Sequence, residues 1–327
     1  MKIGIIGLGS IGQRHARTLF KLGITDVYAL RTKKGTMTKL PDDLHTIKEV
    51  FSDDEFYDVG LDGVIIANPT SLHIETMKKA LQKHIAIFVE KPLANHLSEI
   101  QELELYDLSK VFVGFTMRYD AVINQIKGFL DSGKLGSIYK ACFYCGQYLP
   151  HWHPYADYRK EYYSRKELGG GVIRTLCHEI DLMQYLFGIP QELFGVVEKL
   201  SSLQIDVDDN ALLICRMKDN ALITIELDYL NPKDIRNGVI FGSEGILEYT
   251  YSTPEIRYTD NTGKTTVLYK KEKQDWDSTF QAEMEDFISV ISSGGVPRST
   301  FHDGVEVMNI IEKAERSTRL KTWQKIH

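Results

Sequence analysis

The sequence predicts an α/β protein of two domains, a parallel sheet with its helices followed by an α+β domain whose large sheet is mostly antiparallel. The chain has 327 residues, which is too long for one ordinary hydrophobic core. Apolar strands alternate with helical segments as far as residue 115, and from residue 137 strands follow one another with few helices between them. We therefore expect domains at residues 1–119 and 120–327.

The first domain is predicted from short strands that are apolar along almost their whole length. Strands of this kind, joined by helices, form parallel sheets that are buried on both faces. Residues 42–57 have a weaker pattern, and we expect a helix followed by a short strand there. The predicted strands are 2–7, 26–30, 63–67, 85–89 and 111–115, and the predicted helices are 11–22, 71–83 and 96–108.

The second domain is predicted from longer strands in series. Lys218-Asp219-Asn220 lies between two of them and is typical of a hairpin turn, which favours antiparallel pairing. The predicted strands are 137–148, 193–200, 210–217, 221–229, 236–241 and 245–250, and the predicted helices are 120–130, 172–187, 279–292 and 303–318.

Composition limits the class of protein and its partners. A hydrophobic fraction of 43% with 26% charged residues is typical of a globular protein. The formal net charge of −6 argues against nucleic acid or an anionic membrane as the main partner. No stretch approaches the roughly 20 apolar residues of a membrane-spanning helix. The first residues run directly into a predicted strand and leave no room for a signal peptide, so we expect a cytoplasmic protein.

The four cysteines do not indicate a disulfide framework or a metal site. Cys142 and Cys145 form a C-x-x-C pair, but they lie in a predicted strand, where residues three apart point to opposite faces. No second pair completes a zinc site. We expect core or surface thiols in a reducing compartment.

A glycine motif follows the first strand. Gly7, Gly9 and Gly12 form G-x-G-x-x-G, with Ser10 and Ile11 opening the next helix. This placement is typical of a Rossmann domain that binds the diphosphate of a dinucleotide at the helix N-terminus. The alternative is a glycine-rich turn without a ligand.

The end of the second strand predicts which nicotinamide cofactor binds. NAD enzymes usually have an acidic residue there for the ribose 2′-hydroxyl. This chain has Arg31, Thr32 and Lys33 instead, which suit a 2′-phosphate. We therefore expect NADP as the preferred cofactor and NAD as the second choice, against the alternative of a solvated basic loop.

Four further segments have distinctive motifs: Asn-Pro-Thr-Ser-Leu-His at 68–73, Glu-Lys-Pro at 90–92, residues 114–119, and 169–181 with its three glycines and His-Glu-Ile-Asp. In order and spacing they resemble the glucose–fructose oxidoreductase, inositol dehydrogenase and rhizopine-catabolism family (Gfo/Idh/MocA). The resemblance implies sugar, sugar-nucleotide or cyclic-polyol substrates, and dimers or tetramers formed through a large open sheet. It also implies that Asn68, Pro69, His73, Glu90, Lys91 and Arg118 contact the cofactor.

Two residues are candidates for catalysis. Lys91 follows a parallel strand at the edge where such sheets bind ligands, and it could stabilise charge on the reacting oxygen. His178 follows the three glycines and fits the family pattern of a proton-transfer residue. The alternatives are an ordinary surface lysine and a core or surface histidine.

One position departs from the family pattern. Inositol-dehydrogenase-like members have an aspartate four residues before the histidine, where this chain has Arg174. An arginine there favours an anionic substrate group; alternatively it points elsewhere, or activity is altered or lost. Asp181, one helical turn after His178, either orients the site or holds the domain junction.

The loop before the glycines is rich in aromatic and basic side chains. Trp152, His153, Tyr158 and Arg159 are candidate substrate contacts, because rings cover the apolar face of a sugar and polar groups bind its hydroxyls. Arg159, Arg165 and Arg174 together suit a phosphate or carboxylate. The alternative is a packed loop or a subunit contact. We expect no metal, since hydride transfer to nicotinamide needs none.

The sequence therefore favours an NAD(P)-dependent dehydrogenase or reductase that acts on a sugar or polyol. Two alternatives stay open. One is a reductase of a non-sugar substrate, similar to biliverdin or imine reductases. The other is a non-catalytic NADP-binding sensor or interaction protein, which the departure at Arg174 keeps in consideration.

Overall fold

The computed structural model describes residues 1–31, 39–153 and 156–327. They form two compact units. The first contains Met1–Thr116 and Asp277–Val305, and the second contains Met117–Trp276 and Glu306–His327. The expected domain boundary after residue 119 stays a prediction, and the structure adds that residues 277–305 belong with the first unit.

The N-terminal part of the first unit alternates strands and helices, as expected. Short 3-10 turns connect several of them. The elements are β1 (Ile3–Ile6), α1 (Ser10–Lys21), β2 (Val27–Leu30), β3 (Lys48–Val50), α2 (Asp53–Asp58), β4 (Gly63–Ile66), α3 (His73–Gln82), β5 (Ala86–Val89), α4 (Leu97–Ile100) and β6 (Val111–Val113).

The rest of the chain is richer in strands. Its elements are α5 (Ala121–Asp131), β7 (Ile138–Gly146), α6 (Val172–Thr175), α7 (His178–Phe187), β8 (Glu192–Glu198), β9 (Asn210–Arg216), β10 (Leu222–Asp228), β11 (Ile235–Gly242), β12 (Gly245–Thr250), β13 (Glu255–Asp260), β14 (Thr265–Lys270), α8 (Trp276–Ser293), α9 (Phe301–Leu320) and β15 (Gln324–Lys325).

The first unit has a six-stranded sheet in the order β3-β2-β1-β4-β5-β6. Every strand pair in it is parallel, which confirms the predicted parallel sheet. All residues of β1, β4 and β5 are buried, because helices cover both faces. Phe287 of α8 packs against Phe88 and Phe112, with ring centroids 5.6 and 6.1 Å apart. Residues late in the chain therefore complete the core of the first sheet.

The second unit has a nine-stranded sheet in the order β14-β13-β12-β11-β7-β10-β9-β8-β15. Only the central β7–β10 pair is parallel, so the prediction of a mostly antiparallel sheet is confirmed. Along β7, Cys145 is buried while Cys142 is partly exposed, as expected for residues on opposite faces. All four cysteines are free thiols. Among the described residues, no helix combines the length and apolar character needed to cross a membrane.

Three predicted elements were wrong in detail. In residues 42–57 the helix expected before the short strand is only a 3-10 turn, Asp42–Leu44, and the strand Lys48–Val50 pairs with β2. The α2 helix, which was not predicted, follows the strand and is capped by Ser52, which accepts a hydrogen bond from the Glu55 N–H. The helix predicted at 96–108 is only the single turn of α4 followed by a 3-10 turn. The helix predicted at 172–187 is divided into α6 and α7, so that His178 is the first residue of α7.

Candidate functional site

The glycines of the first turn have distinct structural roles. Gly7 has a φ of +93°, and a Cβ there would lie 2.4 Å from the carbonyl oxygen of Ala67. A Cβ at Gly12 would lie 1.9 Å from the carbonyl oxygen of Gly7. A Cβ at Gly9 would meet no atom within 4 Å. Packing therefore requires glycine at positions 7 and 12, while Gly9 leaves open space beside the helix end.

The N-terminus of α1 fits a diphosphate. No side chain caps it at Gly9, and its first turn contains no acidic residue. The first hydrogen bond of the helix runs from the Gln13 N–H to the Gly9 carbonyl, 3.0 Å. The N–H groups of Ser10, Ile11 and Gly12 therefore point out of the helix end, where the helix dipole favours negative charge. These features match the phosphate cradle of a dinucleotide.

Arg31 lies directly after β2, as predicted, but it has a partner that the sequence analysis missed. Its guanidinium donates a hydrogen bond to the carboxylate of Glu49 on β3. Its side chain is only 9% exposed. An acidic residue therefore lies near the position expected for the 2′-phosphate. It belongs to the third strand, whereas NAD enzymes usually have their acidic residue at the end of the second strand. The predicted Thr32 and Lys33 lie outside the described residues.

His73 connects the loops that follow β4 and β5. The ring is buried, with Nδ1 3.0 Å from the Pro92 carbonyl oxygen and Nε2 3.0 Å from the Asn68 carbonyl oxygen. Burial lowers the pKa of the His73 imidazole. The peptide bond between Lys91 and Pro92 is cis. His73 therefore holds together the segments that contain the predicted Asn68, Pro69 and Lys91, and its own contact with cofactor stays a prediction.

Glu90 is buried and has its partner on α1. Its Oε1 lies 2.6 Å from Nε2 of His15, which is fully buried. Its Oε2 accepts a hydrogen bond from the Lys91 N–H, 3.3 Å. His15 was not predicted from the sequence, although a histidine among the inward-facing positions of the helix after the glycine motif is a signal that could have indicated it.

Two ion pairs, one buried and one partly buried, anchor α7, the helix that begins at the half-buried His178. Arg118 binds both carboxylate oxygens of Asp181, at 3.1 and 3.0 Å from Nε and 2.6 Å from Nη2. Glu179 accepts from Nε of Arg236 at 2.6 Å. Arg118 was predicted to contact the cofactor, and Asp181 was predicted to lie at the substrate. The structure brings these two together, and the two roles expected of Asp181, orienting the site or holding the domain junction, stay predictions.

Arg174 also has a carboxylate partner. Its guanidinium donates to Glu315 of α9, and the arginine side chain is only 8% exposed. Nearby, Oδ2 of Asp208 accepts from the Ile173 N–H at 2.9 Å. Burial raises the pKa of Asp208 to about 6. A Cβ at Gly171 would lie 2.4 Å from Oδ1 of Asp208, so this glycine segment packs closely against a partly buried acid that was not predicted from the sequence.

Aromatic packing dominates the loop before the glycines. Trp152 makes edge contacts with Tyr163 and Tyr229, with ring centroids 5.0 and 5.3 Å apart. This favours the packed-loop interpretation for Trp152. Three other residues of the loop were predicted to contact substrate. The ring centroid of His153 lies 6.2 Å from that of Tyr163, and the Tyr158 hydroxyl accepts a hydrogen bond from the Gln204 N–H at 3.4 Å. Arg159 forms an ion pair with Asp157 at 2.7 Å.

Arg159 and Arg165 line an open groove together with Ser164 and residues 204–206. Both arginines are paired with acidic neighbours, Arg159 with Asp157 and Arg165 with Glu167. Arg174 is not among the residues that line it. The three arginines expected to form one anion site are thus divided between this groove and the buried pair with Glu315.

Two family models match the chain over most of its length. The model described as "Oxidoreductase family, NAD-binding Rossmann fold" matches residues 1–108. The model of the GFO/IDH/MocA C-terminal domain matches residues 123–248. Each match falls on the part of the chain where the structure has the corresponding sheet.

Curated relatives and solved structures are similar along the whole chain. Myo-inositol 2-dehydrogenase of Thermotoga maritima is 25% identical, over 100% of this chain and 98% of its own length. Glucose-6-phosphate 3-dehydrogenase of Bacillus subtilis is 24% identical, over 95% and 94%. Levoglucosan dehydrogenase in complex with NADH and levoglucosan has the same fold, with a TM-score of 0.86 at 19% identity over 100% and 99% of the two chains. The chain therefore belongs to the Gfo/Idh/MocA family of oxidoreductases, with an NAD-binding Rossmann fold in its N-terminal part.

Proposed function

We propose that this protein is a dehydrogenase that transfers hydride between a nicotinamide cofactor and a hydroxyl or keto carbon of a sugar, sugar nucleotide or cyclic polyol. One observation carries the proposal: the uncapped, acid-free N-terminus of α1 lies in the same unit as Lys91, which follows the parallel strand β5. The curated relatives named above are dehydrogenases of an inositol and of a sugar phosphate, which supports a hydroxyl-bearing carbohydrate as substrate.

The roles of the residues follow from the chemistry of alcohol oxidation. A bound nicotinamide cofactor would supply hydride transfer from the reacting carbon, or to it in the reverse direction. Lys91 donates a hydrogen bond to the reacting oxygen and stabilises its developing negative charge. His178 takes the hydroxyl proton as the carbon–oxygen double bond forms. The ion pairs of Asp181 and Glu179 keep the helix of His178 in place.

A substrate screen tests this function. Purified protein is mixed with reduced or oxidised cofactor and with panels of polyols, sugars, sugar phosphates and sugar nucleotides, and the near-ultraviolet absorbance of reduced nicotinamide is followed. Turnover with one of these panels supports the proposal. Turnover only with biliverdin-like or imine substrates supports the non-sugar reductase. Tight cofactor binding without any turnover supports a sensor, against which the presence of both Lys91 and His178 argues.

We propose NADP(H) as the preferred cofactor, because Arg31, Thr32 and Lys33 follow β2 where an NAD enzyme usually has an acid. Glu49 offsets part of the charge of Arg31. Arg31→Asp should weaken NADP(H) binding by about 10- to 100-fold, the value of a charged hydrogen bond, and leave NAD(H) binding less affected. Glu49→Gln is the matched control and should tighten NADP(H) binding. Titrations in which the unmodified protein binds NAD(H) as tightly as NADP(H) would contradict the preference.

We propose that Arg174 serves an anionic group of the substrate, a phosphate or a carboxylate. Arg174→Ala should then raise KM for the anionic substrate by about 10- to 100-fold and leave kcat less affected. Glu315→Gln keeps the arginine, removes its carboxylate partner and should lower KM. If Arg174 only stabilises α6 through Glu315, the alanine variant loses stability while its KM is unchanged, and the anion proposal fails. Arg174→Asp restores the inositol-dehydrogenase-like residue and should favour neutral polyols.

We further propose a cytoplasmic homodimer or homotetramer that assembles through the nine-stranded sheet. Along β9 and β10 the residues alternate between buried and more exposed positions, and Leu212 and Leu222 lie among the exposed ones. A face with such apolar residues is suited to contact a second copy. Light scattering coupled to size-exclusion chromatography measures the assembly state, and Leu212→Lys should shift it toward the monomer. An unmodified protein that is monomeric at micromolar concentration would contradict this proposal.

A further inference from the structure

A buried histidine connects the helix of the phosphate cradle to the residue before Lys91. His15 lies on α1, on the same buried side as Gly12 and Leu19, and its side chain is fully buried. Its Nε2 lies 2.6 Å from Oε1 of Glu90, which directly follows β5 and is 7% exposed. An apolar pair of similar volume is often at least as stable as a buried ionisable pair, so packing alone does not account for this contact.

His15 is the donor in this hydrogen bond. The second oxygen of Glu90, Oε2, accepts from the Lys91 N–H at 3.3 Å. Burial alone would raise the pKa of Glu90, but the hydrogen bond from His15 is the largest of several effects that together lower it. The carboxyl is therefore ionised and only accepts, so Nε2 of His15 carries the proton. Among the described residues Nδ1 of His15 has no partner, which fits a lone pair on that nitrogen.

The two ends of this contact are fixed by separate parts of the first unit. The ring of His15 packs edge-on against Phe88 of β5 and Phe280 of α8, with ring centroids 4.8 and 5.8 Å apart. The main chain of Glu90 is held by the neighbouring strand, because its N–H donates to the Ile66 carbonyl oxygen at 2.9 Å. The Glu90 side chain is therefore held by α1, while its backbone continues the parallel sheet.

The main chain at Lys91 is held on both sides. Before it, Glu90 accepts from the Lys91 N–H. After it, the Pro92 carbonyl oxygen lies 3.0 Å from Nδ1 of His73. One buried histidine thus acts on this segment through a carboxylate, and the other contacts the next residue directly. All of these residues belong to the first unit.

We propose that His15 and Glu90 are positioning residues that fix the main chain of Lys91 relative to α1. This helix begins at Ser10 with the N–H groups suited to the diphosphate, and its buried side holds the carboxylate that accepts from the Lys91 N–H. The spacing between the phosphate cradle and Lys91 is thereby set by one chain of hydrogen bonds. The action of Lys91 on a reacting oxygen rests on the proposed function, whereas the positioning of its main chain does not.

Amide hydrogen exchange, resolved to single residues, tests the positioning without substrate. His15→Phe keeps an aromatic ring but removes the donor, so the Glu90 carboxylate is no longer held. The Lys91 N–H should then exchange about 10-fold faster or more, since a hydrogen bond to a charged group contributes roughly 10- to 100-fold. The Glu90 N–H, bonded to Ile66, is the internal reference and should keep its rate. An unchanged Lys91 rate, or equal acceleration at both amides, overturns the proposal.

Two further variants separate the hydrogen bond from packing. His15→Gln keeps an N–H donor and should restore much of the protection at Lys91. Phe280→Leu trims a ring beside His15 but leaves the hydrogen bond in place, so it should lower stability without changing the ratio of the Lys91 and Glu90 rates. A change of that ratio in Phe280→Leu as large as in His15→Phe would assign the effect to packing and end the proposal.

The unmodified protein provides a measurement in case His15→Phe does not fold. Nuclear magnetic resonance of ¹⁵N-labelled histidine, with His15 assigned through its contacts with Phe88, gives the position of the ring proton. We expect a proton on Nε2 that exchanges slowly with solvent. An Nε2 without a proton would refute the donor role of His15 and the proposal with it.

Kinetics then separate positioning from binding once a substrate has been verified. His15→Phe should lower kcat by about 10-fold or more, the effect of a misplaced reacting group. The Kd for ADP-ribose, which has the diphosphate but no nicotinamide, should be almost unchanged, and His15→Gln should recover much of kcat. A loss of ADP-ribose affinity as large as the loss of kcat counts against the positioning role. If no substrate is turned over, the proposed function fails while the exchange result still decides the positioning.

Discussion

Lys91→Ala and His178→Ala are each expected to lower kcat by about 10²-fold or more, the scale of a proton-transfer or charge-stabilising group. Cofactor binding should be retained in both, because the phosphate cradle at Gly9 and α1 does not include either side chain. Steady-state turnover on a verified substrate gives kcat, and quenching of intrinsic fluorescence by the cofactor gives Kd.

The matched controls are an exposed lysine and an exposed histidine of the first unit. Lys110→Ala and His45→Ala remove the same chemical groups from exposed positions and should leave kcat unchanged. If Lys91→Ala or His178→Ala keeps the turnover of the unmodified enzyme, the role assigned to that residue is wrong. A loss of cofactor affinity as large as the loss of kcat would instead indicate a binding role.

Asp181→Ala is expected to lower the free energy of unfolding by about 3–5 kcal/mol, because it leaves a buried guanidinium without its carboxylate. The side chains of Arg118 and Asp181 are 4 and 0% exposed. Gln184 also loses one acceptor, since its Nε2 donates to Oδ1 of Asp181 at 3.0 Å. Urea denaturation followed by circular dichroism and by fluorescence measures the effect and checks that both signals change together.

An exposed ion pair of the first unit is the control for the charge change itself. Lys21 and Asp277 lie 2.7 Å apart, with side chains 56 and 72% exposed. Asp277→Ala should therefore cost less than about 1 kcal/mol. The double variant Arg118→Met with Asp181→Leu should recover much of the stability lost by Asp181→Ala, since no unpaired charge remains. A cost for Asp181→Ala no larger than that of Asp277→Ala would contradict the importance of burial.

The parts of the fold that the sequence predicted well are those with a local signal. Apolar strands such as β4 and β5, and the glycine turn into α1, are recognisable from neighbouring residues alone. Lys48–Val50 has no apolar run, and it becomes a strand because its backbone pairs with β2. The strand β14 was missed because most of its residues are exposed and no alternation marks a buried face.

The candidate site shows the same difference between local features, which were predictable, and contacts between distant residues, which were not. Residue types and positions were predictable, but the partners that alter their chemistry are distant along the chain. Glu49 is 18 residues from Arg31, Asp181 is 63 residues from Arg118, and Glu315 is 141 residues from Arg174. One sequence contains no local pattern that links such positions. Arg31, Arg118 and Arg174 were therefore each predicted to contact a ligand. In the folded chain each of them has a carboxylate beside it.

The return of residues 277–305 to the first unit has a consequence for synthesis on the ribosome. Phe287 covers Phe88 and Phe112, and a Cβ at Gly63 would lie 2.6 Å from Ile291. This apolar surface stays uncovered while the whole of 117–276 is translated, so the first unit cannot finish folding when residue 116 emerges and must wait for residues 277–305. A nascent chain stalled near residue 119 should bind chaperones through this surface, and one stalled after residue 305 has emerged should release them.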